Sequence, residues 1–299
     1  MIQNIKNFDL EQIADSGQCF RWRKIDEGKY LIPAYDHIVT VAKSGEKFEF
    51  SCTEAEYQII WKHYFDLELD YGKIIAAIDK NDTFLKEAAE YGSGIRILNQ
   101  ELWEMIISYI ISQNNNIPRI KKGIEAVCDR YKAVICKDEQ DNLEKTENEI
   151  YGFPHLTDIE KNGGRQSLSE LGLGYRDEYI WLMCEYEHEN KVFFDNLRKC
   201  DYEQSMKMLM EHKGIGRKVA NCISLFGLHH LDACPIDVWM KKIIDEEYGG
   251  IQPKWMSDRY TGRDYPGGVA RRGFLPDPTA FRNGDPADCR NGADLCCHL

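Results

Sequence analysis

The stretch GIGRKVANC (residues 214–222), followed after a short gap by PIDVW (residues 235–239), decides how this chain is read. Two glycines flank one aliphatic residue, and Lys218 then falls on the first turn of a helix. Gly214 and Gly216 let the backbone turn with positive φ around Ile215 and let another molecule come close. The N–H groups of such a turn, beside a helix N-terminus, point outward and favour an anion such as a DNA phosphate. A lone Gly-x-Gly is equally well an ordinary helix–helix turn. A lysine at the positive end of a helix has its charged form disfavoured, and partial burial adds to this. A lysine that can lose its proton is a nucleophile able to form a Schiff base, although a solvated surface lysine is the commoner fate. Asp237, two residues after Pro235, reads as the N-cap of the helix VWMKKII. The helix end would keep that carboxylate ionised, and a fixed carboxylate can stabilise the oxocarbenium-like sugar of a breaking glycosidic bond.

Outward from the hairpin the pattern is helical. SMKMLMEHKGIGRKVANCISLFGL reads as helix, glycine hairpin, helix, and PIDVWMKKIIDEEYG as one more helix with Gly249 as its stop. ELWEMIISYIISQ (101–113) is apolar on nearly every side and predicts a buried central helix. IKKGIEAVCDRY (120–131) is amphipathic, YGFPHL is a loop, and SLSELGLGYRDEYIWLMCEY runs helix, glycine turn, helix. Residues 20–52 instead alternate as strands do. YLIPAY, HIVTVA and KFEFSC, separated by turn-like DH and SGEK, predict a small antiparallel meander. Thr53 and Glu56 form a capping box that opens the helix YQIIWKHYF. The fold class expected is α+β: an antiparallel β domain with a helix over 1–80, a helical domain over 81–250, and an atypical tail over 251–299. In that tail lysine gives way to arginine, and Pro276, Pro278 and Pro286 interrupt any helix, so it reads as disordered.

Bulk properties narrow the function. With 299 residues the chain can bury one large or two ordinary cores. A net charge of −12 argues against a protein that wraps nucleic acid non-specifically, while leaving room for a DNA enzyme with a local basic face. The acidic run KDEQDNLEKTENE (137–149) reads as solvated. The 11 cysteines are odd in number and mostly sit in apolar segments, as free thiols do in a reducing compartment. There is no Cys-x-x-Cys, and Cys289, Cys296 and Cys297 lack a spacing that suits a metal. The N-terminus lacks the basic start and apolar run of a secretion signal, and MIISYII is too short to span a membrane. An intracellular protein with no membrane partner is expected.

GIGRKVAN…PIDVW resembles the helix–hairpin–helix, Gly/Pro…Asp signature of the base-excision DNA glycosylases. SGQCFRW (16–22), SYIISQNNNIPRI (108–120), YGFPHL (151–156) and LGLGYRDEYI (171–180), in this order and spacing, make the chain similar to the 8-oxoguanine DNA glycosylases with associated lyase activity. The resemblance runs from about residue 8 to residue 250. It implies that Lys218 attacks C1′, expels the base and forms the Schiff base that permits β-elimination, with Asp237 in support. It places the Gly17 carbonyl on the N7 proton that distinguishes 8-oxoguanine from guanine, Cys222 on one face of the flipped base, and Phe226 in the pocket wall. Asn114, Arg119 and Arg176 would read the orphaned cytosine, and Tyr175 would wedge the duplex open. Gly214, Ile215 and Gly216 would hold a phosphate, and the carbonyls of Met210, His212 and Ile215 a monovalent cation. The partner implied is double-stranded DNA carrying 8-oxoguanine or an abasic site, bound by a monomer. No cofactor is implied for catalysis, and no iron–sulfur cluster.

The chain also departs from the family pattern. His212-Lys213 replaces the usual Leu-Pro before Gly214 and is expected to add charge beside DNA. Trp239 stands where several relatives have histidine. The closing helix, whose Gln and Phe grip the base in relatives, is replaced by PGGVARRGFLPDP, with Arg271 in the Gln position. Two alternatives follow: an alkylpurine-type glycosylase, against which Lys218 speaks, and a catalytically impaired helix–hairpin–helix protein that only binds DNA.

Overall fold

The computed structural model describes residues 1–135, 150–251 and 253. The expectations for the acidic run 137–149, for Arg271 and for Cys289, Cys296 and Cys297 lie outside the described residues, as does nearly all of the tail.

The N-terminal part is a five-stranded antiparallel sheet in the order β1-β5-β4-β3-β2, built from Ile2–Asn4, Arg23–Asp26, Lys29–Ala34, His37–Ser44 and Lys47–Phe50 (β1 to β5). The expected meander is β3-β4-β5. Its first turn is not Asp-His but Tyr35-Asp36, both at positive φ (49° and 59°), so that Ala34 pairs with His37. Two residues at positive φ match the right-handed twist of the flanking strands. β1 and β2 were not expected. Both are short edge strands, and β2 reads Arg-Lys-Ile-Asp, a charged edge that resists pairing with other chains. Phe48 and Phe50 alternate inward from β5. They join Phe8, Trp22, Trp61, Tyr64 and Phe65 in one aromatic core, with Phe65 edge-on or tilted against most of its neighbours. The capping box at Thr53 is present, and the helix behind it passes through a π-helical segment, Tyr57–Trp61, that seats Trp61 fully inside.

The second core is helical. Leu102–Ser112 is buried at every position from Leu102 to Ile111, because neighbouring helices surround it. Ile117–Tyr131, Arg176–Glu189 and Arg217–Phe226 pack against it, and Tyr202–Met210 covers the last of these. The two cores abut at Leu98 and Ile97.

The conspicuous SGQCFRW segment ties them together. Gln18, fully buried, donates to the Arg96 carbonyl (2.9 Å), accepts from Leu98 N–H (2.8 Å) and offers its own carbonyl to Gln100 (2.7 Å). Arg21 pairs with Glu104 of the central helix at 2.8 Å and donates to the Tyr151 carbonyl, so the FRW and YGF motifs meet. A buried charge survives only when paired and hydrogen-bonded in this way.

Candidate active site

The hairpin joins Tyr202–Met210 to Arg217–Phe226. Ile215 plugs into the core at 3% exposure, and its N–H donates to the His212 carbonyl at 3.0 Å. The two glycines do different jobs. Gly214 has φ 89°, and a Cβ there would stand 2.4 Å from the Tyr179 ring. Gly216 has an ordinary φ of −82°, which corrects the expectation of positive φ on both sides of Ile215. A Cβ on Gly216 would meet nothing within 4 Å. Gly216 caps the helix with no side chain, so its first-turn N–H groups face outward, the arrangement that attracts an anion.

The charge expected from His212-Lys213 is largely neutralised. The His212 ring stands edge-on to Tyr186 (4.3 Å) and Phe193 (5.1 Å), and burial lowers its pKa, favouring the neutral form. Lys213 pairs with Glu178 at 2.8 Å beside the Tyr179 ring.

At the mouth of this helix lies a cavity of about 200 Å³. Gly216, Lys218, Val219 and Cys222 form one wall, and Phe20, Tyr109, Ser112, Gln113 and Asn114 the other. Lys218, Val219 and Cys222 share a helix face, as do Tyr109, Ser112 and Gln113 on the central helix. Cys222 therefore lines the cavity. Phe226 lies one layer back, stacked on Tyr109 at 5.8 Å with 16° between rings, and Phe20 meets Tyr109 edge-on at 5.8 Å. Gly17 (φ 75°) is buried three residues before Phe20 and is not among the lining residues. Phe20, Tyr109, Ser112, Gln113 and Val219 escaped the sequence reading. The i, i+3, i+4 spacing ending beside Asn114 was the signal available for three of them.

Asp237 caps Val238–Glu247 as expected, accepting Met240 N–H at 2.8 Å. Its pKa is nevertheless raised. Burial outweighs the lowering effects of the backbone N–H groups and of the Lys218 charge, so the helix end is not the largest influence on this carboxylate. Trp239 buries its Nε1 with no hydrogen-bond partner among the described residues, and Lys242 lies 5.1 Å from its ring centre.

On the other side of the cavity, Asn114 sits at φ 46° where the central helix ends, and its Nδ2 donates to the Tyr175 hydroxyl at 3.1 Å. Tyr175 is 44% exposed. Arg176 is 8% exposed, and its guanidinium donates to the carbonyls of Gln113, Asn114 and Leu173. Arg119 is exposed on the first turn of the next helix, whose cap Asn116 accepts its N–H at 3.1 Å. Asn114, Tyr175 and Arg176 are thus one bonded group, with Arg119 nearby in sequence. Among the described residues no group of three or more His, Cys, Asp or Glu could hold a metal ion, and no helix is long and apolar enough to cross a membrane.

Known proteins share this fold and much of this sequence. Residues 1–106 match the family model described as 8-oxoguanine DNA glycosylase, N-terminal domain. The chain is similar to the Clostridium acetobutylicum 8-oxoguanine glycosylase/lyase, solved with double-stranded DNA containing cytosine opposite 8-oxoguanine. Identity is 32%, the TM-score is 0.75, and the match covers 85% of this chain and 84% of that one. It is also 33% identical over 167 residues to the N-glycosylase/DNA lyase of Saccharomyces cerevisiae, a match spanning 52% of this chain and 42% of the yeast protein. The chain therefore spans less than half the length of that curated relative. The 3-methyladenine DNA-glycosylase of Archaeoglobus fulgidus shares the fold, at 19% identity and a TM-score of 0.63. With residues 1–106 matching the family model and 85% of its length matched at 32% identity, the chain belongs to the 8-oxoguanine DNA glycosylase family.

Proposed function

We propose that this protein excises 8-oxoguanine, preferentially opposite cytosine, from double-stranded DNA and then cleaves the abasic site by β-elimination. The observation that carries this reading is Lys218 in the cavity wall, at an uncapped helix N-terminus, with its charge acting on the half-buried Asp237. The Lys218 amine adds to C1′ as the C1′–N9 bond breaks, and the departing base takes the bonding electron pair. Ionised Asp237 stabilises the cationic sugar during that step. Loss of a proton from nitrogen and opening of the sugar ring leave a Schiff base. Removal of a C2′ proton then expels the 3′-phosphate.

The flipped base enters the cavity beside Cys222, with Phe226 supporting the aromatic wall from behind and the Gly17 carbonyl accepting the N7 proton. A polar group left unpaired on burial is costly, so guanine, which lacks that proton, is rejected. Asn114, Arg119 and Arg176 face the orphaned cytosine, and Tyr175, exposed at the rim, fills the gap in the stack. The turn Gly214-Ile215-Gly216 faces a phosphate through the N–H groups of Gly214 and Gly216, while that of Ile215 stays on the His212 carbonyl. The carbonyls of Met210, His212 and Ile215 hold a monovalent cation that extends this contact. Catalysis draws on no cofactor, iron–sulfur or otherwise. The same reading divides the chain into 1–80, 81–250 and 251–299; an aromatic sheet core separate from the helical one supports two folded parts, with Leu98 in the first core and Phe20 in the second. The enzyme acts as an intracellular monomer.

The test is borohydride trapping on a duplex carrying 8-oxoguanine opposite cytosine. Wild type is expected to give a covalent protein–DNA adduct, and Lys218→Gln none. Trapping on an abasic duplex alone would separate a working nucleophile from lost base recognition. No adduct on either duplex would overturn the enzyme reading.

A further inference from the structure

The helix that carries Asp237 stands outside the main helical core. Its buried residues, Met240 and Ile243, belong to a separate small cluster that includes Phe84 and Tyr248. At the far end of the helix the Tyr248 hydroxyl lies 3.1 Å from each carboxylate oxygen of Asp82, and its ring meets Phe84 edge-on at 6.1 Å. Asp82 is itself the N-cap of Thr83–Tyr91, accepting Leu85 N–H at 2.9 Å. The end of that helix is stitched to the N-terminal part. Gln12 donates to the Tyr91 carbonyl and accepts from Gly94 N–H, both at 2.9 Å, and Asp9 N–H donates to the Gly94 carbonyl at 2.9 Å.

Lys218 and Asp237 are therefore held by different attachments. The lysine helix packs on the central helix. The aspartate helix takes its bearing from residues 82–94, and so from the N-terminal part. We propose that Tyr248, through Asp82, is a positioning residue that sets the Asp237 carboxylate against Lys218. The inference rests on the lysine–aspartate reading above. A ten-residue helix is about 15 Å long, so freeing one end to tilt by about 4° moves the other by about 1 Å. A misplacement of that size can cost about 100-fold in rate.

Single-turnover excision on the 8-oxoguanine:cytosine duplex tests this, using wild type, Tyr248→Phe, Asp237→Asn and the double variant. Phenylalanine keeps the ring against Phe84, and asparagine keeps the helix cap, so the variants retain the fold; thermal melts check this. Tyr248→Phe is expected to slow excision about tenfold with duplex affinity unchanged. In the Asp237→Asn background the same change should alter the residual rate by less than about twofold, because no carboxylate is left to misplace. An equal loss in both backgrounds, or no loss in wild type, overturns the positioning role while leaving the lysine–aspartate reading intact. A wild type that neither excises nor traps would sink that reading, and this inference with it.

Discussion

Asp237 illustrates how one residue serves two demands. Its cap bond fixes the carboxylate, and its burial resists the charge that the chemistry requires. Because the pKa is raised, protonation sets in at a higher pH than for an ordinary carboxyl group. The acid limb of the single-turnover excision profile should therefore be displaced upward from that of an ordinary aspartate, with the rate falling as pH drops through it. Asp237→Asn should remove that limb along with most of the rate; a limb that survives in the variant belongs to another group. Arg176 makes a different point. Its bonds to the carbonyls of Gln113, Asn114 and Leu173 hold the loop bearing Asn114, whose left-handed backbone is otherwise unfavourable. Reading a base would have to share or exchange those donors.

The hairpin separates packing from access at the scale of the element. Gly214 is required by its neighbours, since an added Cβ meets Tyr179 at 2.4 Å and φ is 89°. Gly214→Ala should cost about 3 kcal/mol, combining backbone strain with overpacking, and lower the melting temperature. Gly216→Ala meets no neighbour and should cost about 0.5–1 kcal/mol from the weaker cap. Its effect should instead fall on affinity for duplex DNA, measured at fixed salt, because the new methyl group stands where a phosphate would approach. Equal stability losses for the two variants would contradict this division. His212 and Lys213 fit the same picture, the first lodged against two rings and the second paired with Glu178.

Across the whole molecule, polar ties join the two cores, and one of them is sensitive to acid. His229 Nε2 lies 3.6 Å from Asp66, yet the contact is not an ion pair at neutral pH. Burial pushes the imidazole pKa down to about 4 and the Asp66 carboxyl up to about 6. A histidine with a depressed folded pKa contributes stability above its unfolded value of 6.5 and loses it as pH falls toward 4. Between pH 6.5 and 5 that loss is about 2 kcal/mol, while the raised carboxyl of Asp66 acts in the opposite sense. His229→Gln should therefore gain on wild type by about 2 kcal/mol as pH drops across that window, read from denaturant melts at the two pH values. A constant difference between the two proteins would show that His229 does not titrate in this way.

The central helix, the capping box, the hairpin and the Asp237 cap were legible along the chain. Each is written in local spacing: an unbroken apolar run, a Thr-x-x-Glu, a Gly-x-Gly, a Pro-x-Asp. Lys218 could be singled out on the first turn of its helix, whereas Cys222 was singled out only through the family resemblance; both line the cavity, since a helix puts residues four apart on one face. β1 and β2 were not, because exposed edge strands carry no alternation to read. Nor could periodicity tell that Tyr109 and Phe20 wall the cavity, that Phe226 stands behind them, or that Arg21 finds Glu104. These pairings join residues up to 117 positions apart, set by how two separately formed cores meet. The sign of the Asp237 shift belongs with them. Local sequence determines a cap, but burial, a property of the assembled molecule alone, decides how readily that cap holds its charge.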